Sequence, residues 1–269
     1  MFLHLIKKIH KNFRLVWSIQ GETFVPLIKK RNKYFQSVLY GVDKIIVANK
    51  MIEKQLFELN VKQDNINVIS PFLMPVPSSE KELLSKYCNN NIKVILFNAY
   101  RLELTKDKRD IYGFDTLIDG FSKINKDVVL ILLIPQMDSI EKKYFDDTIS
   151  ILTKKDRERI VLIQDEENEG YQYIKEADIF IRPTITDGDA LSVKEALCFG
   201  IPAIVSDCTY RPSQAIQFKT GDSYDLSIKV NSLIENYAKE KNKLMNIKFC
   251  EDSKGKQFIN LYKELGQQK

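Results

Sequence analysis

Histidine and cysteine are scarce in this chain, at two and four of 269 residues. His4 and His10 both lie near the start, and Cys88, Cys198, Cys208 and Cys250 show no C-x-x-C spacing. That set composes no metal cluster, and the cysteines read as structural thiols of a reducing compartment. Glycine-rich nucleotide loops are missing as well. No G-x-G-x-x-G follows a strand-like segment and no G-x-x-x-x-G-K-[ST] occurs, which argues against a dinucleotide-dependent oxidoreductase and against P-loop phosphate chemistry.

No apolar run approaches the ~20 residues that cross a bilayer. The longest, VVLILLIP (Val128 to Pro135), has the length of a strand. The opening MFLHLIKKIHKNF lacks the continuous apolar core and small-residue cleavage site of a signal peptide, so the chain reads as cytoplasmic. Its amphipathic spacing leaves two readings open, a helix packed on a sheet or a segment lying at the inner face of an anionic membrane. The net charge of +5 comes from lysines scattered along the whole chain. Such a surface does not form a nucleic-acid groove, although it suits a phosphate-bearing substrate.

What the chain does have is 44% hydrophobic content and alternating strand-like and helix-like segments from end to end, the pattern of α/β layering. Residues 1–76 form a first α/β lobe with strands RLVWSI (Arg14 to Ile19), KIIVAN (Lys44 to Asn49) and NINVIS (Asn65 to Ser70). Glu22 and Thr23 before Pro26 mark a helix start, and Asn49 is placed to cap the helix carrying Ile52, Leu56 and Leu59. The Pro-rich stretch PFLMPVPSSEKE interrupts the alternation and gives a linker at 77–90. Residues 91–240 read as a Rossmann-like domain with five buried strands: KVILFNAY, VVLILLIP, RIVLIQD, IFIRPT and AIVSD. Helical residues follow from about Leu226, with a break near Gly255, and 241–269 form a C-terminal helical segment returning to the first lobe.

The block DGDALSVKEALCFGIPAIVSD (Asp187 to Asp207) is the most informative stretch. It reads as loop, short helix, tight stop and strand, directly after the strand IFIRPT, and such loops lie at the carboxyl edge of parallel sheets where ligands bind. Asp187 and Glu195 sit eight positions apart around Gly188, Asp189, Ala190, Leu191 and Ser192. Gly188 permits close approach of a ligand to the main chain, and Ser192 is placed to cap a helix whose first N–H groups suit a phosphate. S-V-K-E is equally a capping box in which Glu195 serves only the backbone of Ser192. The residues alone leave both readings open.

This block resembles the C-terminal signature of the retaining GT-B glycosyltransferases, E-x7-E followed by A-x-x-x-G-x-P-V-I. Glu195, Ala196, Gly200, Pro202, Ile204 and Asp207 match it, while Asp187 stands for the first Glu. Tyr173, Ala177, Asp178 and Pro183 follow the family's upstream Y/F-x-x-A-D-x-x-x-x-P outline. YGFDTLIDGFSKI (Tyr112 to Ile124) resembles its K-G-x-D-x-L-I-x-A-F helix, and VDKIIVANKMIEKQL (Val42 to Leu56) the close of its first domain.

The resemblance implies a GT-B-like α/β fold with a complete second domain and a shortened first lobe. It implies transfer of a sugar, with retention, from a nucleotide-diphosphate-sugar to a glycan or lipid-linked acceptor. Glu195 would contact the ribose and Asp187 the donor sugar, with Asp189 to Ser192 holding sugar and diphosphate. Arg101 would neutralise the leaving diphosphate, and Lys106, Lys108 or Arg109 would replace the family's Lys, whose place Tyr112 takes. Arg182 reads as an ion pair with Asp187 or Asp207, and Arg211 is left open. No cofactor or metal is then required. On the acceptor side Gln20 and Gly21 stand where the family carries His, and Gln20 cannot act as an acid or base. The short first lobe adds two expectations: a second polypeptide that completes it, and, as the alternative function, a non-catalytic nucleotide-binding or scaffold half of a GT-B complex.

Overall fold

A computed structural model describes residues 14–21, 24–30, 38–39, 41–75, 82–87, 92–107, 109–124, 127–245 and 253–267. Two compact units emerge: Met1–Leu73 with Asp187–Asp189 and Glu251–Lys269, and Met74–Thr186 with Ala190–Cys250.

The first unit holds a parallel three-stranded sheet in the order β1 (Val16–Ile19), β2 (Lys44–Val47), β3 (Ile66–Val68). Side chains on a strand alternate between faces, and β2 shows what that dictates. Ile45 and Val47 join Val25 and Ile28 of α1 (Phe24–Lys30) and Ile52 and Leu56 of α2 (Lys50–Phe57) in one cluster. Ile46 points the other way, to Leu261 and Leu265 of α10 (Ser253–Gln267). Asn49 caps α2 as its sequence position implies, accepting from the backbone of Met51 at 2.9 Å and Ile52 at 3.0 Å.

The second unit is a six-stranded, all-parallel sheet. Its strands are β4 (Lys93–Asn98), β5 (Val128–Leu133), β6 (Ile160–Ile163), β7 (Ile179–Arg182), β8 (Ala203–Ser206) and β9 (Ile216–Phe218), in the order β6-β5-β4-β7-β8-β9. Alternation again divides the core. Ile95, Phe97, Leu130, Leu132, Ile179, Ile181 and Ile204 face α3 (Phe114–Phe121) and α8 (Ser223–Glu235). Val94, Leu96, Ile131, Leu133, Phe180, Ala203 and Val205 face α6 (Gly170–Glu176) and α7 (Leu191–Cys198). Burial on both faces is why these strands read as unbroken apolar runs. Among the described residues, three further α-helices lie in the unit: α4 (Ser139–Ser150), α5 (Lys154–Arg157) and α9 (Tyr237–Met245).

Several expectations are corrected. The sheet has a sixth strand, because β9 is three residues long with only Ile216 and Phe218 apolar, too short for a pattern. Gly255 lies inside α10 and does not break it. Helix α8 begins at Ser223 because the Asp222 side chain accepts from the backbone of Asp225 at 3.0 Å. In the linker, Leu83 and Leu84 donate their backbone N–H groups to Glu176 at 3.0 and 2.7 Å, so that part belongs to the second unit. Cys198 is disulfide-bonded rather than a structural thiol, and Cys208 is free. Glu22, Thr23 and the segment 1–13 lie outside the described residues. Among the described residues, no helix is long and apolar enough to cross a membrane.

One backbone contact locates the loops of the carboxyl edge. Gly113, at φ 72°, opens α3, and a Cβ there would lie 2.0 Å from the carbonyl oxygen of Pro183, just past β7. Only glycine fits, for conformation and for space. Gly113→Ala should lower the unfolding free energy by ~3 kcal/mol, combining strain with displaced backbone; a urea midpoint equal to wild type would refute the reading.

Candidate functional site

The order of the large sheet reverses between β4 and β7, since β5 and β6 extend to one side and β7, β8 and β9 to the other. At such a reversal neighbouring connections leave in opposite directions and open a crevice at the carboxyl ends of the strands. A cavity of about 350 Å³ lies there, lined by Asn98 at the end of β4 and Tyr100 after it, Pro135 after β5, Asp165, Glu166, Asn168 and Glu169 between β6 and α6, and Gly170 at the start of α6. That volume lies in the range of small-molecule sites.

The loop after β6 is pinned by Asp165. Its carboxylate accepts from the backbone N–H of Glu167 at 2.8 Å and of Asn168 at 3.2 Å, from Asn168 Nδ2 at 2.7 Å, and from the Tyr173 hydroxyl of α6. These donors, led by Tyr173, hold the Asp165 pKa down at about 2. Gly170 then starts α6 so close to Asn98 that a Cβ would lie 3.0 Å from Asn98 Nδ2.

Glu195 does not serve a capping box. Helix α7 begins at Leu191 with Ala190 as its N-cap, in the left-handed conformation at φ 45° and with no side-chain cap, so Ser192 lies inside the first turn. The expectation of a Ser192 cap is corrected: the turn at Ala190 starts the helix early and carries Glu195 past the position from which it could bond Ser192. Backbone bonds from Val193 and Lys194 return to the Ala190 carbonyl, at 3.0 and 3.4 Å. Glu195 is half-buried, and burial pushes its pKa up; the Glu169 carboxylate adds to the rise and Arg182 opposes it. Glu195, Glu169 and Arg182 thus share one electrostatic neighbourhood.

Arg182 lies over the ring of Tyr112, 5.6 Å from its centroid, the aromatic that stands where the family resemblance leads one to seek Lys. Asp207 accepts from Thr220 N at 2.8 Å and Oγ1 at 2.6 Å. Arg101 donates through Nε to Glu141 Oε1 at 2.7 Å and through a terminal nitrogen to Asp138 Oδ2 at 3.1 Å, at the start of α4. Lys106 is exposed in a hairpin-like loop, and Lys108 lies outside the described residues. Arg211, which the sequence leaves open, is buried. Its guanidinium donates to Ser206 O at 2.9 Å and Thr184 Oγ1 at 3.0 Å, bracing the loops after β8 and β7.

Asp187, Gly188 and Asp189 belong with the first unit. Asp187 accepts from the Gly188 N–H at 2.9 Å, and Asp189 accepts from Ser70 Oγ at 2.5 Å. A Cβ on Gly188 would lie 2.9 Å from the carbonyl oxygen of Gln20 and near Gly21, so the loop and the acceptor-side pair meet in that unit. The Gln20 side chain donates to Ser18 Oγ.

The profile of one protein family, described as glycosyl transferases group 1, matches residues 89–259. The chain belongs to this family. The matched region contains the whole six-stranded sheet, and solved structures extend the likeness across both units. Anabaena Alr3699/HepE in complex with UDP aligns with a TM-score of 0.73 at 15% identity, over 97% of this chain and 75% of that one. A glycosyltransferase from Rickettsia africae ESF-5 aligns at 0.73 and 16%, over 99% and 74%. Sucrose-phosphate synthase from Thermosynechococcus elongatus gives 0.75 and 16%, over 97% and 70%. At such identities the likeness is one of fold, and that fold is GT-B. No curated protein matches the chain.

Sequence reasoning missed the cavity wall itself. The run D-E-E-N-E-G between β6 and α6 carried the signal, an acidic loop at the carboxyl edge of a buried strand. It also passed over Asp110, a fully buried carboxylate that accepts from the backbone of Glu103 at 2.8 Å and Phe114 at 3.1 Å and so holds the loop bearing Lys106. Burial pushes its pKa from an ordinary 3.8 to about 6. The folded state therefore keeps this proton through a range where the unfolded chain has lost it. The contribution is complete below pH 3.8 and disappears as pH rises through about 6. Relative to Asp110→Asn, wild type should lose roughly 2–3 kcal/mol of unfolding free energy between about pH 4 and 6.5, measured by urea titration. Asp165, shifted downward, acts below that window. Parallel curves for the two proteins would contradict the assignment.

Proposed function

We propose that this chain transfers a sugar from a nucleotide-diphosphate-sugar to a glycan or lipid-linked acceptor, with retention of anomeric configuration. The reading rests on family membership, and the observation that carries it to particular atoms is Glu195: half-buried, released from any capping role, and electrostatically coupled to Glu169, which lines the carboxyl-edge cavity. In this reading Glu195 accepts hydrogen bonds from the ribose. Asp187, one methylene shorter than the family's Glu, accepts from the donor sugar. The free N–H groups of the first turn of α7, around Leu191 and Ser192, meet the diphosphate with their positive helix end. The UDP bound by Anabaena Alr3699/HepE supports a nucleotide in a site of this fold.

The reaction is written on one face of the sugar. The bond from C1 to the diphosphate oxygen breaks, a bond from C1 to the acceptor oxygen forms on the same side, and the acceptor proton passes to the departing diphosphate. No protein nucleophile takes part. The protein's contribution is charge stabilisation by fixed dipoles and cations aimed at the leaving group. Lys106 and Arg109 are exposed side chains on the loop braced by Asp110, free to turn toward a diphosphate. Arg101 reaches one only by leaving Glu141 and Asp138, which makes it the least economical of these cations.

A second reading, a nucleotide-binding scaffold that assists another transferase, uses the same cavity without turnover. The two separate on Asp187→Ala and Glu195→Gln, each checked for native melting and assayed for donor-dependent release of nucleoside diphosphate. Loss of a hydrogen bond to a charged group at each position should slow release ~10- to 100-fold. Undiminished biological activity in the double variant would favour the scaffold.

A further inference from the structure

We propose that the base recognised in the carboxyl-edge cavity is guanine, so that the donor is a guanosine-diphosphate-sugar. This rests on the donor-site reading above and deepens it. The described residues lining the cavity include three carboxylates, Asp165, Glu166 and Glu169, and neither lysine nor arginine. A diphosphate is repelled by such a lining, which leaves the base and ribose as the parts of a nucleotide that fit.

The acids are not equivalent. Asp165 is already engaged by Tyr173, Asn168 and two backbone N–H groups. Glu169 shares the neighbourhood of Glu195, the ribose side of the site. Glu166 remains to read the base. It is exposed on the pinned loop, and its Oε2 accepts from Gln136 Nε2 at 3.2 Å, which orients the carboxylate.

The edges of the bases then decide. Guanine presents N1–H and the 2-amino group side by side, two parallel donors that match the two oxygens of a carboxylate. Uracil presents one N–H flanked by two carbonyl oxygens, and a carboxylate repels both. Adenine offers a single amino group next to the acceptor N1. A pair of charge-assisted hydrogen bonds is both stronger and more selective than a single neutral one. Tyr100, 62% exposed at the lip of the cavity, adds an aromatic face on which a purine stacks over more area than a pyrimidine.

Calorimetric titration of the full chain with GDP, IDP, UDP and ADP at one ionic strength tests this. GDP should bind at least ~10-fold more tightly than UDP or ADP, and IDP, which lacks the 2-amino group, should fall behind GDP by about the same factor. Glu166→Gln, a change on an exposed loop, should weaken GDP ~10-fold or more and leave UDP within about threefold. Equal or tighter binding of UDP or ADP, parity of IDP with GDP, or an unchanged GDP affinity in Glu166→Gln would overturn the guanine assignment while leaving the donor site standing. Absence of binding by all four nucleotides would overturn the donor-site reading, and this inference with it.

Discussion

The approach of Gly113 to the Pro183 carbonyl joins the helix entrance that follows β4 to the loop that leaves β7, the two strands flanking the reversal of the large sheet. Around that contact the backbone is cross-linked: Ile185 donates to the Ile111 carbonyl at 2.9 Å, Ile111 to Glu103 at 2.9 Å, and buried Asp110 gathers the N–H groups of Glu103 and Phe114. Each of these bonds takes a loop that parallel topology leaves free and gives it one position. The path of the chain from β7 toward Asp187 is therefore set before any of the acidic residues in the signature block is reached.

The loop after β6 carries the acids Asp165, Glu166, Glu167 and Glu169, while two arginines stand at the next strands, Arg182 at the end of β7 and Arg211 in the loop after β8. The second of these is buried and bound to neutral acceptors, a Ser206 carbonyl and the Thr184 hydroxyl. Planar guanidinium geometry suits this work, because one group bridges two loops through several fixed N–H directions; a lysine ammonium in the same place would offer a point charge without that spread. A nucleotide is itself polarised, with a donor-bearing base at one end and anionic phosphates at the other.

Much of this was legible in the sequence. Strands buried on both faces leave continuous apolar runs, so β4, β5, β7 and β8 were found to within two residues at their ends. Asn49 announced its helix because capping is local chemistry. The short β9 escaped, since its three residues gain their meaning only from pairing with β8. Helix α7 was placed but started at the wrong residue: serine predicts a cap through its side chain, while the chain here begins the helix through the backbone conformation of Ala190. The acid cluster after β6 and the fate of Arg101 depended on contacts across 30 to 40 residues, Gln136 with Glu166 and Arg101 with Glu141, which no local pattern encodes.

The Asp165 hub has a consequence for the thermodynamics of recognition. Four hydrogen bonds within the protein itself hold the turn after β6 in one shape, so the conformational entropy of that segment is surrendered during folding and not at the moment of encounter. A molecule docking beside it meets a wall already assembled, and selectivity then comes from mismatch against a fixed surface, because the loop does not reshape itself to welcome the wrong one.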